Sequence, residues 1–332
     1  PADRVYDGFA DTYIKDYGRW GVVETFQTLD RGEFTPGYRE GRSAGTIAIN
    51  AHGVVLDGSL QGKATPGLFQ RDVAKTPRGG TLVIGDPAPT KATSADPDDF
   101  RIAGFNFSNL RSPLSGAFDF SSPLLLDEVL FPTDIVTQGG FSQLQLFTNG
   151  TVNLPADVNL AAAPGGSVAL TGRQINLFGS ITAPAGSIAL TTTNTAGAIG
   201  AAEDYTITLG SGARLDTAGL WTNDSRAINP DPSGPIATKG GTVAIRSTYD
   251  VNLGAGSVIN VSGGGWVQPD DKLKGGDAGS ISVESGAIVI AAVPQQGEVG
   301  LDGELQGYAV GKGGALAITA PQVIITGQAQ GV

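Results

Sequence analysis

Cysteine and methionine are both missing from this chain of 332 residues, and histidine occurs once. Without thiols there can be no disulfide and no thiol chemistry, and with His52 alone a histidine cluster for zinc is excluded. The lack of cysteine is either ordinary scarcity or the mark of a polypeptide that crosses an oxidising compartment unfolded. A chain without methionine keeps no initiator, so this one is expected to be processed or cut from something larger; Pro1–Arg4 does not read as a signal peptide. No apolar run reaches the length a bilayer-spanning helix demands. Basic residues are few and scattered: 21 Lys and Arg against 32 Asp and Glu give a formal net charge of −11. An acidic chain with no basic stripe repels phosphate backbones, which excludes nucleic acid as a partner.

Glycine is abundant instead, at 50 residues, among Val, Ile, Leu and Thr. One pentad recurs, at Gly45–Ile49, Gly80–Ile84, Gly166–Leu170, Gly186–Leu190, Gly241–Ile245, Gly279–Val283 and Gly314–Ile318. In each, large apolar residues alternate with smaller ones, the period of a strand with one buried face. A second strand follows in phase at Val54/Leu56, Ile175/Leu177, Val251/Leu253, Ile288/Ile290 and Val323/Ile325, and a third carries Leu60, Ile181, Val258 and Leu305. Three short strands in about 20 residues make one turn of a parallel β-helix, in which neighbouring turns pair their open edges. The fold class expected is therefore all-β, a right-handed parallel β-helix or solenoid of about nine to twelve turns with lateral loop insertions, its hand set by crossover sterics. Ile47, Ile49, Val54, Leu56, Val168, Leu170, Ile175, Leu177, Val243, Ile245, Leu316 and Ile318 should point inward. Ile188 should do so too, whereas Thr192 falls in a looser stretch. Glycine pairs such as Gly165-Gly166 and Gly240-Gly241 mark corners that need positive φ or close backbone approach. None is followed by Lys-Ser/Thr and a helix, so no phosphate loop and no cofactor are expected.

The repeat occupies 41–85 and 139–332. Residues 1–40 form an aromatic-rich extension, with Tyr13, Tyr17, Trp20 and Phe26 among others, expected to pack on the coil. Residues 86–138 read as a non-repeat insertion, Pro- and Asp-rich and then Phe-rich. Smaller insertions leave at one phase, after the third strand, at Lys63–Arg78, Trp221–Lys239, Gly264–Gly276 and Tyr308–Lys312. In-register turns would line them up along one side. The plain role of each Trp is to lie on the coil wall and seal its own loop. The alternative is a ligand-facing row, with Trp221, Trp266, Phe69 and Trp20 as the contact candidates.

No catalytic or metal-binding residue is expected. His52 falls between two strands, where a solvated corner suffices, and no nucleophile elbow accompanies it. Glycoside hydrolysis needs two carboxyls about 5–10 Å apart. In such a coil they would come from consecutive turns at one phase, yet Asp57 and Asp302 share a phase that intervening turns do not fill with acids. Asp96-Pro97-Asp98-Asp99, Asp127-Glu128 and Asp270-Asp271 read as solvated acidic stretches, and an adventitious calcium there remains an option.

The Gly-Gly-x-h-x-h turns, the near-identical corners Leu56–Gly62 and Leu301–Gly307 and the phrase Gly18–Phe26 resemble filamentous-haemagglutinin-like exoproteins of Gram-negative bacteria. The resemblance covers about 40–84 and 140–330 by the repeat and 15–40 by the aromatic phrase. It implies a right-handed β-helical fibre, exported unfolded through an outer-membrane transporter partner (two-partner secretion), secreted or held on the cell surface. A non-enzymatic adhesive role follows, with a host or neighbouring-cell receptor or a glycan as partner. A polysaccharide lyase or hydrolase and a purely architectural filament are the alternatives. The family's amino-terminal secretion domain is not evident, so an internal segment is expected. Further turns should follow Val332, because an uncapped coil invites end-to-end self-association.

Overall fold

The computed structural model describes residues 12–27, 37–51, 54–85, 104–109, 128–193, 202–290 and 293–322. The chain divides into two compact units, 1–39 and 40–332. In the first, strands Thr12–Tyr17 and Val22–Gln27 pair antiparallel. Their turn is closed by the Trp20 amide donating to the Tyr17 carbonyl at 2.7 Å, with Gly21 at φ 61°. That left-handed backbone is open to glycine at little cost. Tyr13 faces Phe26 across the ladder, ring centroids 6.2 Å apart.

The regular structure of the second unit is almost wholly strand, mostly in three long parallel sheets that the chain visits in rotation from Gln143–Phe147 on. The first sheet holds, in chain order, Thr46–Ile49, Thr81–Ile84, Gln143–Phe147, Ser167–Gly172, Ser187–Thr192, Thr242–Ser247, Ser280–Ser285 and Ala315–Thr319. From Thr151–Leu154 on, the second continues through Gln174–Leu177, Ile207–Leu209, Val251–Leu253 and Val299–Leu301. Asn159–Ala161, Ser180–Thr182, Arg214–Asp216, Val258–Asn260 and Glu304–Gln306 make the third. Pairing keeps equivalent residues in file: Val168 opposite Ile188, Ile188 opposite Val243, Val243 opposite Ile281. Alternation along each strand turns one set of side chains inward. Val168, Leu170, Ile175, Leu177, Ile181 and Ile188 are all buried in a single core. At about 1.5–3 kcal/mol for each buried aliphatic side chain, one circuit offsets much of the cost of ordering its own backbone. On the outer face of the second sheet Asn176, Asn153 and Asn106 hydrogen-bond in a ladder, at 3.2 and 3.0 Å.

The recurrent glycines serve the stacking of circuits. A Cβ on Gly279 would collide with the carbonyl oxygen of Gly241, and one on Gly241 with that of Gly186. Those carbonyls accept the ladder bonds from the Ser280 and Thr242 amides, at 3.1 and 2.9 Å. Close approach is thus the reason for these two glycines, whereas Gly165 has positive φ, at 75°.

Several expectations need correction. The stretch 86–138 is not wholly outside the repeat. Its described parts supply Gly104–Ser108 and Val129–Pro132 to the second sheet, with Phe105, Phe107 and Phe131 in the core. Val129–Pro132 lies beyond Gly104–Ser108 at the sheet's edge, out of chain order. Val54 and Leu56 form no strand, although Val54 is buried and Leu56 packs on the core. Ala287–Ile290 turns back antiparallel on Val293–Gln296 as a hairpin, and Val299–Leu301 takes the second-sheet place assigned to Ile288/Ile290. In the third sheet Ile259, not Val258, is the inward residue, because the register pairs Ile259 with Leu215. Leu316 is 51% exposed because its strand ends the first sheet, with a neighbour on one side only. Among the described residues the first sheet has eight strands, fewer than the nine to twelve turns expected, since hairpin and insertions consume chain. His52 and Val323/Ile325 lie outside the described residues.

Candidate functional site

Chain between the third sheet and the next strand of the first leaves the stack at one corner, and the insertions do so there. Three of them meet. Asp72, in the insertion Lys63–Arg78, bridges in parallel to Ile236 of Trp221–Lys239. The Ile236 amide donates to the Arg71 carbonyl at 2.8 Å and the Val73 amide to the Ile236 carbonyl at 3.1 Å. Strand Trp221–Asn223 pairs parallel with Gly265–Val267 of the third insertion, which folds back antiparallel on Leu273–Gly275. The first insertion is held at its base by Gln70, whose Oε1 accepts the Gly41 and Gly67 amides, each at 2.7 Å.

One carboxylate joins all three. Asp224, its side chain 1% exposed, accepts Arg71 Nη1 at 2.9 Å and Nη2 at 2.8 Å, and Trp266 Nε1 at 2.7 Å. Arg71 Nε donates in addition to the Gly234 carbonyl at 2.8 Å. Bidentate, charge-assisted pairing is the strong form of this contact. The Arg71 hydrogen bonds hold the Asp224 carboxyl below its ordinary range; burial opposes them, and the Trp266 bond and the Arg71 charge assist. Arg71 comes from the first insertion, Asp224 from the second and Trp266 from the third, so the Asp224 carboxylate adds side-chain ties to the backbone pairing between the loops.

Above this cluster lies a cleft of about 1300 Å³. Its walls are largely apolar: Leu68, Phe69, Val73, Pro232, Ile236 and Trp266. Of the four aromatic candidates, Phe69 and Trp266 therefore meet in one place. Trp221, 65% exposed, lies outside the lining, its ring over Gly265, where a Cβ would meet it. Trp20, 75% exposed, belongs to the hairpin of the first unit. Sequence reasoning missed Arg71 and Asp224. Each sits in a loop beside other charges, Asp72 next to Arg71 and Arg226 near Asp224, and no spacing links positions 153 apart.

The acids named from the sequence stand elsewhere. Asp270 pairs with Lys272 at 2.7 Å, and Asp271 takes φ 64°, both in the turn of the third insertion's hairpin. The register places Phe178, Gly210, Gly254 and Asp302 after equivalent second-sheet leucines, one acid in four. Thr182, Asp216, Asn260 and Gln306 form another file with one acid. Asp96–Asp99 and Asp127 lie outside the described residues. Comparison of the chain with protein-family models, with curated proteins and with solved structures finds no match.

Proposed function

We propose that this chain is the rigid shaft of a bacterial surface or secreted fibre, wound as a right-handed parallel β-helix, with its lateral insertions as the binding surface. The observation that carries the reading is the convergence of three insertions, from three circuits, on one cleft tied by Arg71, Asp224 and Trp266. The rotation of the chain among three parallel sheets supports the helical winding. Stacked circuits supply length and stiffness, since each contacts only its neighbours. The loops supply recognition, as loops on a rigid scaffold commonly do. On this reading the protein is non-enzymatic, belongs with the filamentous-haemagglutinin-like exoproteins and reaches the surface through an outer-membrane transporter.

A combined glycan and protein array of the 332-residue chain, run beside lyase and hydrolase assays, tests this. Binding to a defined ligand that is lost in an Asp224→Ala variant, without turnover, is the expected result. Turnover of a polysaccharide would replace the adhesive reading with an enzymatic one. Absence of any ligand on the array would move the chain to a purely architectural role.

A further inference from the structure

The cleft's polar lining has a pattern of its own. Lys75, Lys239 and Lys274 come one from each of the three insertions and all line it. Among the described residues none of the three makes a side-chain hydrogen bond or ion pair. Three carboxylates share the lining, Asp72, Asp231 and Asp277. Asp72 Oδ1 accepts the Ala74 amide at 2.9 Å and Asp277 Oδ1 the Lys312 amide at 2.8 Å. Their remaining lone pairs are acceptors that want hydroxyl donors.

Part of the backbone along the wall is already engaged. The amides of Gly240, Gly241 and Thr242 are spent on Asp277, Thr217 and Gly186, at 2.8, 2.7 and 2.9 Å, and that of Gly276 on Gly264 at 2.9 Å. An added peptide strand needs a row of free edge groups, and this wall offers none of those amides. The side chains offer a reading of their own: ammoniums for carboxylates, carboxylates for hydroxyls and the Phe69 and Trp266 rings for an apolar face. At about 1300 Å³ the cleft exceeds the roughly 300–1,000 Å³ that holds one drug-sized molecule, which suits an oligomer. Lysines, as mobile point charges, tolerate a carboxylate at varied angles better than a fixed guanidinium fork.

We infer that this cleft binds an acidic oligosaccharide of the uronate type, with Lys75, Lys239 and Lys274 on its carboxylates and Phe69 and Trp266 against its sugar faces. The inference rests on the insertions being the binding surface and names the ligand class they take. A polyanion lacking hydroxyls would bring no hydroxyl donors to Asp72, Asp231 and Asp277, and a neutral sugar would leave the three ammoniums without partners.

Titration calorimetry of the full chain with hexagalacturonate, hexamannuronate, maltohexaose and hexaglutamate tests it, with Lys75→Ala/Lys239→Ala/Lys274→Ala and Phe69→Ala variants alongside. These four side chains are exposed, so circular dichroism and melting should report an intact fold. At least one uronate hexamer should bind, weaken at least about tenfold in the triple-lysine variant, weaken severalfold in Phe69→Ala and weaken with added salt. No uronate binding at about 1 mM, equal binding of maltohexaose or hexaglutamate, or a triple-lysine variant that binds uronate unchanged would each overturn the inference. A different array ligand lost in Asp224→Ala would, in that event, leave the insertions as the binding surface and remove only the ligand class. No array ligand at all would remove both.

Discussion

Arg71 and Asp224 lie 153 residues apart in the chain, yet both guanidinium terminal nitrogens reach the one carboxylate, at 2.9 and 2.8 Å. The pair is buried on the Asp224 side, so its loss leaves a charge without a partner. Breaking such a pair from one side costs about 3–5 kcal/mol, and replacing both partners by apolar groups costs far less. Asp224→Ala and Arg71→Met should each release protection of amides in Arg71–Val73 and Trp221–Asn223 in hydrogen exchange. The double variant should lose less than the sum of the two. Additive losses would mean that the pair does not couple the loops.

The same carboxylate sets a pH dependence. Its folded value is lowered, chiefly by Arg71, so the stabilisation it brings is present above the ordinary carboxylate range. It is lost as the pH falls through the lowered value, that is, below about pH 4. Protection of the insertion amides should therefore drop on acidification through that window while the first-sheet amides persist. In Asp224→Asn the step should vanish, and a step that survived would assign it to another group.

Two glycines separate close approach from mere turn propensity. Gly279→Ala places a methyl against the Gly241 carbonyl, its nearest neighbours all backbone of Gly240 and Gly241, whereas a Cβ on Gly313 meets nothing within 4 Å. Gly279→Ala should destabilise by more than about 2 kcal/mol in urea unfolding, as an overpacked site does. Gly313→Ala should be neutral or stabilise by up to about 1 kcal/mol through the unfolded state. Equal effects would contradict the stacking of circuits at that corner.

Thr192 shows where sequence reasoning stops. It reads as a residue of a looser stretch, but it is buried, and its hydroxyl is within 3.2 Å of the Tyr205 carbonyl and of Ser247 Oγ. The Thr248 amide donates to it at 2.7 Å. Thr192→Val should therefore cost about 1–3 kcal/mol, the penalty of buried partners left unmatched, and Ile188→Asp more. A neutral Thr192→Val would restore the looser reading.

The contrast is physical. Ile188 was legible because period-2 alternation is written in every pentad, and all seven pentads lie in the first sheet. Short third-sheet strands carry too few residues to fix register, so Val258 and Ile259 exchange places. Ile288 and Ile290 fit the expected spacing, and only the nearby Val293–Gln296 strand diverts them into a hairpin. The corner where insertions leave was legible as a phase. Their cluster was not, because Arg71, Asp224 and Trp266 meet only once the circuits are stacked.

That stacking is the central claim, and the absence of native cysteine makes it directly measurable. Ala48, Val83, Gln145, Ala169, Ala189, Ala244, Ser282 and Ala317 stand in file across the first sheet. Spin labels on cysteines at Ala48 and Ala244 span five strand steps, and those at Ala48 and Ala317 span seven. With strands about 4.8 Å apart, the account predicts backbone separations of about 24 and 34 Å, read by pulsed electron–electron resonance as two narrow distributions once the label length is allowed for. Distances that fail to rise with the number of strand steps would contradict the stacked circuits, and with them the cleft that depends on their register.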